Sequence, residues 1–122
     1  MKKDIDLSRK ILLFVEEHSP PEGGLDKPLE IDGYNAPTVR AHVDLLIKGG
    51  YLEGRVMSGP NGINVVDIRR LTNLGHDAIK AIEEESIWGK VKRGALQKGV
   101  PLTIDIAVQW AKAEIRARLP HL

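Results

Sequence analysis

Between residues 35 and 77 the apolar positions change period twice. Val39, Val43 and Leu46 fall at i, i+4 and i+7, with His42 and Ile47 beside them, which predicts a helix over 37–49 with one apolar stripe. Pro37 suits the first turn, because its missing N–H costs nothing there. Asn35 supplies the cap chemistry, and Gly49-Gly50 ends the helix. A period of two follows. Residues 51–57 and 63–71 read as paired strands around SerGlyProAsnGly (58–62), where Gly62 can take positive φ. Leu52 and Val56 share one face of the first strand. Val66 and Ile68 share one face of the second, with Ile63 and Val65 opposite. Helical spacing then returns with Leu74, Ala78, Ala81 and Ile82, behind a capping Thr72.

The flanks complete a helical frame. Leu7, Ile11, Phe14 and Val15 predict a first helix over 6–18, with Asp6 as its cap. Prolines 20 and 21 and glycines 23 and 24 stop it. Leu29 and Ile31 alternate with Glu30 and Asp32, which predicts a short strand over 27–34 with Pro28 tolerated near an edge. No room is left for a separate helix between that strand and residue 37. Glu83–Glu85 is an unfavourable helix end unless a new helix begins near Ser86. Ile87, Trp88, Val91, Ala95 and Leu96 fit that helix. A last one, capped by Thr103, carries two apolar stripes: Ile104, Val108, Ala111 and Ile115 on one side, Ile106, Trp110, Ala113 and Ala117 on the other.

Composition changes the picture little. The 122 residues carry a net charge of +1, so a basic surface must come from segregation of charge rather than from excess. Cysteine is absent, which excludes disulfides and thiolate metal sites. No signal-peptide pattern and no apolar run near the roughly 20 residues of a bilayer span appears, and a cytoplasmic location is expected.

Candidate chemistry is sparse. His18, His42, His76 and His121 do not pair at i, i+4, so no metal site is expected. His42 reads as a core-edge histidine bonded to backbone. Ser8, Ser19, Ser58 and Ser86 lack a glycine-flanked elbow, and no glycine stretch is followed by the Lys-Ser/Thr of a phosphate loop. No catalysis, cofactor or small-molecule ligand is expected. In projection Arg40, Ala41, Asp44 and Lys48 lie opposite the apolar stripe of helix 37–49. Arg40 and Lys48 there are suited to phosphates or a guanine edge, although an Arg40–Asp44 pair explains the same residues.

Four stretches resemble a known family. The opening Met1–Glu16, ArgAlaHisValAspLeuLeuIleLysGlyGlyTyrLeuGluGly (40–54), ArgArgLeuThrAsnLeuGlyHisAspAlaIle (69–79) and SerIleTrpGlyLysValLys (86–92) are similar, in the same order, to an uncharacterised, often phage- or prophage-borne family, domain of unknown function 2513. The resemblance implies a winged-helix-like fold and prophage association, and no established activity. LeuThrAsnLeuGlyHisAsp (71–77) also resembles the Leu-Thr-x-x-Gly step after the wing in bacterial winged-helix regulators, where threonine caps and glycine allows close packing.

The expected architecture is α+β: a winged-helix-like domain over 1–82 (helix, short strand, helix, β-hairpin wing) and a C-terminal helical extension over 83–122 packed on it. The expected function is DNA binding or transcription regulation, with Arg40 and Lys48 at the groove and Arg55, Asn61 and Asn64 on the backbone. The alternative is a protein-interaction adaptor on the same scaffold, with homodimerisation through Ile106, Trp110 and Ala113.

Overall fold

The computed structural model describes residues 2–119; the side chain of Val66 and all of His121 lie outside the description. Five helices and one hairpin follow in the order α1 (Ile5–His18), α2 (Ala36–Lys48), β1 (Leu52–Gly59), β2 (Gly62–Leu71), α3 (Asn73–Ile82), α4 (Glu85–Lys98) and α5 (Ile104–Arg118). This is an α+β, winged-helix-like arrangement.

Three helix starts carry the caps that the sequence predicts. Asn35 Oδ1 accepts from the Thr38 N–H at 2.9 Å, Thr72 Oγ1 from Gly75 at 3.0 Å, and Thr103 Oγ1 from Ile106 at 3.2 Å. α1 differs. Its cap is Asp4, whose Oδ1 accepts from the Leu7 N–H at 3.1 Å. Asp6 lies inside the first turn and turns towards α4, where its Oδ1 accepts from Trp88 Nε1 at 2.8 Å and Lys92 Nζ at 2.9 Å. The glutamate run resolves into a helix boundary. Glu83 follows α3, Glu84 precedes α4, and Glu85 sits in the first turn of α4 at its positive end. Arg9 closes the end of α3 from α1: its Nε and Nη2 donate to the carbonyls of Ile82 and Glu83, both at 2.7 Å.

The core is aliphatic. Leu7, Ile11, Leu12, Val15, Val43, Leu46, Ile79 and Ile82 are all essentially inaccessible. Burying one such side chain contributes about 1.5–3 kcal/mol. α5 packs on α3 and α4 through Ala107, Val108 and Ala111. Ion pairs border that contact: Lys90–Glu114 at 2.9 Å, Glu114–Arg118 at 3.1 Å, and Lys112–Asp77. Lys90 and Arg118 together hold the Glu114 carboxyl below its ordinary range.

Two expectations about strands are corrected. Residues 27–34 form no ladder, and the sheet has two strands among the described residues. Pro28 has no N–H to give and Gly33 turns at φ +86°, so the segment passes as an extended loop whose Leu29 and Ile31 still pack on the core. The faces of β2 also differ from simple alternation. The register slips between Arg55 and Val56 and again between Glu53 and Gly54. Each slip gives β2 an extra residue and reverses its phase. Val65 and Ile68, three apart, therefore both pack against the core; the expected role of Val66 lies outside the described residues.

The environment of Asp6 predicts a pH effect. Burial opposes its ionisation, but the bonds from Trp88 and Lys92 outweigh that, and its pKa lies below the ordinary aspartate value. A carboxyl depressed in the folded state contributes stability above its unfolded pKa and loses it as pH falls through the folded one. Urea unfolding at neutral pH and at about pH 3 is expected to show a smaller acid loss for Asp6→Asn than for the parent chain. Equal losses would mean that Asp6 gains nothing from Lys92.

Candidate functional site

The helix proposed to enter a DNA groove is packed on more sides than its apolar stripe suggests. Val39, Val43 and Leu46 face the core. His42, one step round, is fully buried: its Nδ1 donates to the Thr38 carbonyl at 2.8 Å, and its Nε2 accepts the Asp4 N–H at 2.9 Å. Those partners place the ring hydrogen on Nδ1. This agrees with a core-edge histidine bonded to backbone.

The opposite side is not free. Arg40 is half-buried, and its Nε donates to the Ile63 carbonyl of β2 at 3.0 Å. Asp44, one turn on, is 6% exposed. Its Oδ2 accepts from Lys48 Nζ at 2.9 Å, so Asp44 pairs with Lys48 and not with Arg40. Ile47 reaches Gly54 of β1. The side bearing residues 40, 44 and 47 is thus turned to the hairpin. Pro37 and Lys48 remain exposed, with Ala41 and Leu45 half-exposed between them. A 13-residue helix misleads here because the hairpin covers a flank that the apolar stripe alone leaves to solvent. The signal that could have revealed this was Asp44, a carboxylate poorly suited to a phosphate-facing side.

On the hairpin, Arg55, Asn61 and Asn64 are all exposed, as a backbone-contacting wing requires. Arg69 and Arg70 are engaged nearby, with Asp67 at 3.0 Å and Glu53 at 3.9 Å. On α5, Ala113 is exposed and Ile106 partly so, while Trp110 packs on the core with the Lys98 ammonium 5.5 Å from its ring centroid. The three residues share one side of α5, and α4 already occupies part of it.

Sequence reasoning missed a cleft of about 950 Å³ between the loop 24–34, the start of α2 and β2. Leu29 and Ile31 of the loop, Val39 and Val43 of α2, and Val65 and Ile68 of β2 line it. The loop is tied back near its start, where the Asp26 N–H donates to the His18 carbonyl at 2.9 Å, and closes a turn near its end, where the Tyr34 N–H donates to the Ile31 carbonyl at 3.2 Å. Tyr34 is held further by its hydroxyl, which donates to Asp4 Oδ2 at 2.9 Å. Among the described residues no cluster of three His, Cys, Asp or Glu side chains converges to hold a metal ion, and no helix is long and apolar enough to cross a membrane.

A helix leading into a two-stranded hairpin, with a capped helix behind it, places the chain among winged-helix-like α+β proteins. More narrowly, the chain belongs to the family described as "Hypothetical protein (DUF2513)", whose model matches residues 2–101. It is 32% identical over 119 residues to an uncharacterized protein of Haemophilus influenzae, covering 98% of this chain and 99% of that one. No solved structure matches the chain.

Proposed function

We propose that this protein is a non-catalytic interaction module that uses its winged-helix-like frame to present a protein-binding surface. One observation carries the reading: the flank of α2 that would face a DNA groove is spent on the hairpin, through Arg40 on the Ile63 carbonyl and through buried Asp44. Lys48, the remaining cation of that helix, is neutralised by Asp44. A duplex binder gains affinity from cations free to displace counterions, and α2 offers few.

A second reading, DNA binding through the hairpin, is favoured by the exposure of Arg55, Asn61 and Asn64. Anisotropy of a labelled mixed-sequence duplex at low and moderate salt separates the two. The adaptor reading expects no saturable binding, and no change on Arg55→Glu. Saturable binding that falls steeply with salt and is abolished by Arg55→Glu would replace it with the DNA reading.

A further inference from the structure

We propose that the cleft beside β2 receives an extended segment of a partner protein, which pairs with the stretch of the outer edge of β2 left open at Val65 and is apolar at alternate positions and basic between them. The inference rests on the adaptor reading and names its site and partner chemistry.

The edge comes first. β1 and β2 meet at a two-residue turn, Pro60-Asn61, with Gly59 opposite Gly62. In an antiparallel ladder, hydrogen-bonded and non-bonded pairs alternate. Gly59 and Gly62 flank the turn and form a bonded pair, so Ile63 and Val65 belong to non-bonded pairs and aim their N–H and C=O groups away from β1. Arg40 supports this phase, since it reaches the Ile63 carbonyl from α2, outside the ladder. Beyond the slip in register, the Asp67 carbonyl points at Gly54 of β1, and the Ile68 carbonyl points outward to Gly24. The outer edge is therefore closed by Arg40 at one end and by the passing loop at the other. Between them Val65 opens on the cleft.

The loop does not close that gap itself. It makes no ladder with β2, and Pro28 has no N–H to contribute to one. Neighbouring strands sit about 4.8 Å apart, and the cleft of about 950 Å³ beside Val65 is lined by the apolar side chains of Leu29, Ile31, Val39 and Val43. Backbone pairing on an exposed edge, with pockets for alternate side chains, is a recurring mode of peptide recognition.

Charge selects the occupant. Glu30 and Asp32 stand exposed on the loop wall and carry no ion pair among the described residues. Asp67 is already paired with Arg69, and Asp26 is hydrogen-bonded to His18 Nδ1 at 3.0 Å. Of the two cations on the lining, Arg40 is committed to Ile63, which leaves Lys27. The unneutralised rim is acidic and fits basic side chains flanking the apolar ones.

The test uses the whole chain and a fluorescein-labelled peptide of alternating lysine and valine, read by anisotropy and by amide spectra of the 15N-labelled protein. The expected result is saturable binding, with the Val65 amide shifting and becoming protected from exchange. Glu30→Lys with Asp32→Lys, both at exposed positions, should weaken binding roughly tenfold while leaving the spectrum of the free protein otherwise intact. Absent binding, or binding that ignores the charge reversal and leaves the Val65 amide unmoved, overturns the proposal. So does a Val65 amide already protected in the free monomer, which would place residues 27–31 on the edge, or protected only in a self-associated form, which would place a second copy there. The duplex experiment separates the two levels of failure. A chain that binds neither peptide nor duplex refutes this cleft but not the adaptor reading, whereas duplex binding that depends on Arg55 refutes both.

Discussion

Gly75→Ala is expected to destabilise the protein by about 3 kcal/mol, the largest effect of any single methyl group in the chain. A Cβ at Gly75 would lie 2.2 Å from the Tyr51 carbonyl oxygen and 3.3 Å from Leu71 Cβ. The first obstacle is backbone and cannot rotate away. That carbonyl is held by the Thr72 N–H at 3.1 Å, and Thr72 Oγ1 in turn bonds both the Gly50 carbonyl and the Gly75 N–H. The first turn of α3 is thus locked against the junction of α2 and β1, and any shift that admits a methyl breaks this set of bonds. Gly94→Ala is the control. It is helical, and nothing lies within 4 Å of the added atom, so it should stabilise by about 0.5–1 kcal/mol. Urea midpoints at constant slope check both. A tolerated Gly75→Ala would show that α3 does not approach Tyr51 as closely as described.

The second large effect is expected at His42. Replacement by leucine keeps most of the volume but leaves the Asp4 N–H without its acceptor, at a cost of about 2 kcal/mol. Alanine adds a cavity and should cost about 3–4 kcal/mol. The bond joins residues 38 positions apart, and Asp4 is the node it secures. The same residue caps α1 through Oδ1 and accepts from Tyr34 through Oδ2. That last bond raises the Tyr34 pKa above its ordinary value, because ionising the phenol would discard a donor facing a carboxylate. In His42→Leu, amide exchange should accelerate first at Asp4 and Leu7, where α1 begins. Uniform acceleration across the core would instead indicate loss of packing without a special role for the bond.

Much of the fold was legible because local chemistry and periodicity agree. Asn35, Thr72 and Thr103 announce helix starts that need only a hydroxyl or amide three residues ahead of an N–H. The turn residues of 58–62 announce a hairpin, with Gly62 at φ +103°, although the strands run on to Gly59 and from Gly62 and leave only Pro60-Asn61 as the turn. What failed was non-local. Asp6 looks like a cap by position but is claimed by Trp88 and Lys92 from 82 and 86 residues away. The alternation of Leu29 and Ile31 reads as a strand, yet pairing depends on where β2 lies, and the loop stands off from it. A slip in register moves Val65 to the packed side of β2, and no period in its own sequence records that. Arg40 and Lys48 occupy the predicted helix, but which flank of that helix meets solvent was decided by the hairpin.

Arg40 is therefore the residue that decides between the hairpin and the groove. Arg40→Met keeps the apolar stem and removes the guanidinium, and the decisive measurement is its urea unfolding beside its affinity for a mixed-sequence duplex. A loss of about 1 kcal/mol is expected, from an Ile63 carbonyl without its donor, with no change in duplex binding. Unchanged stability together with lost duplex affinity would contradict it and return Arg40 to the DNA groove.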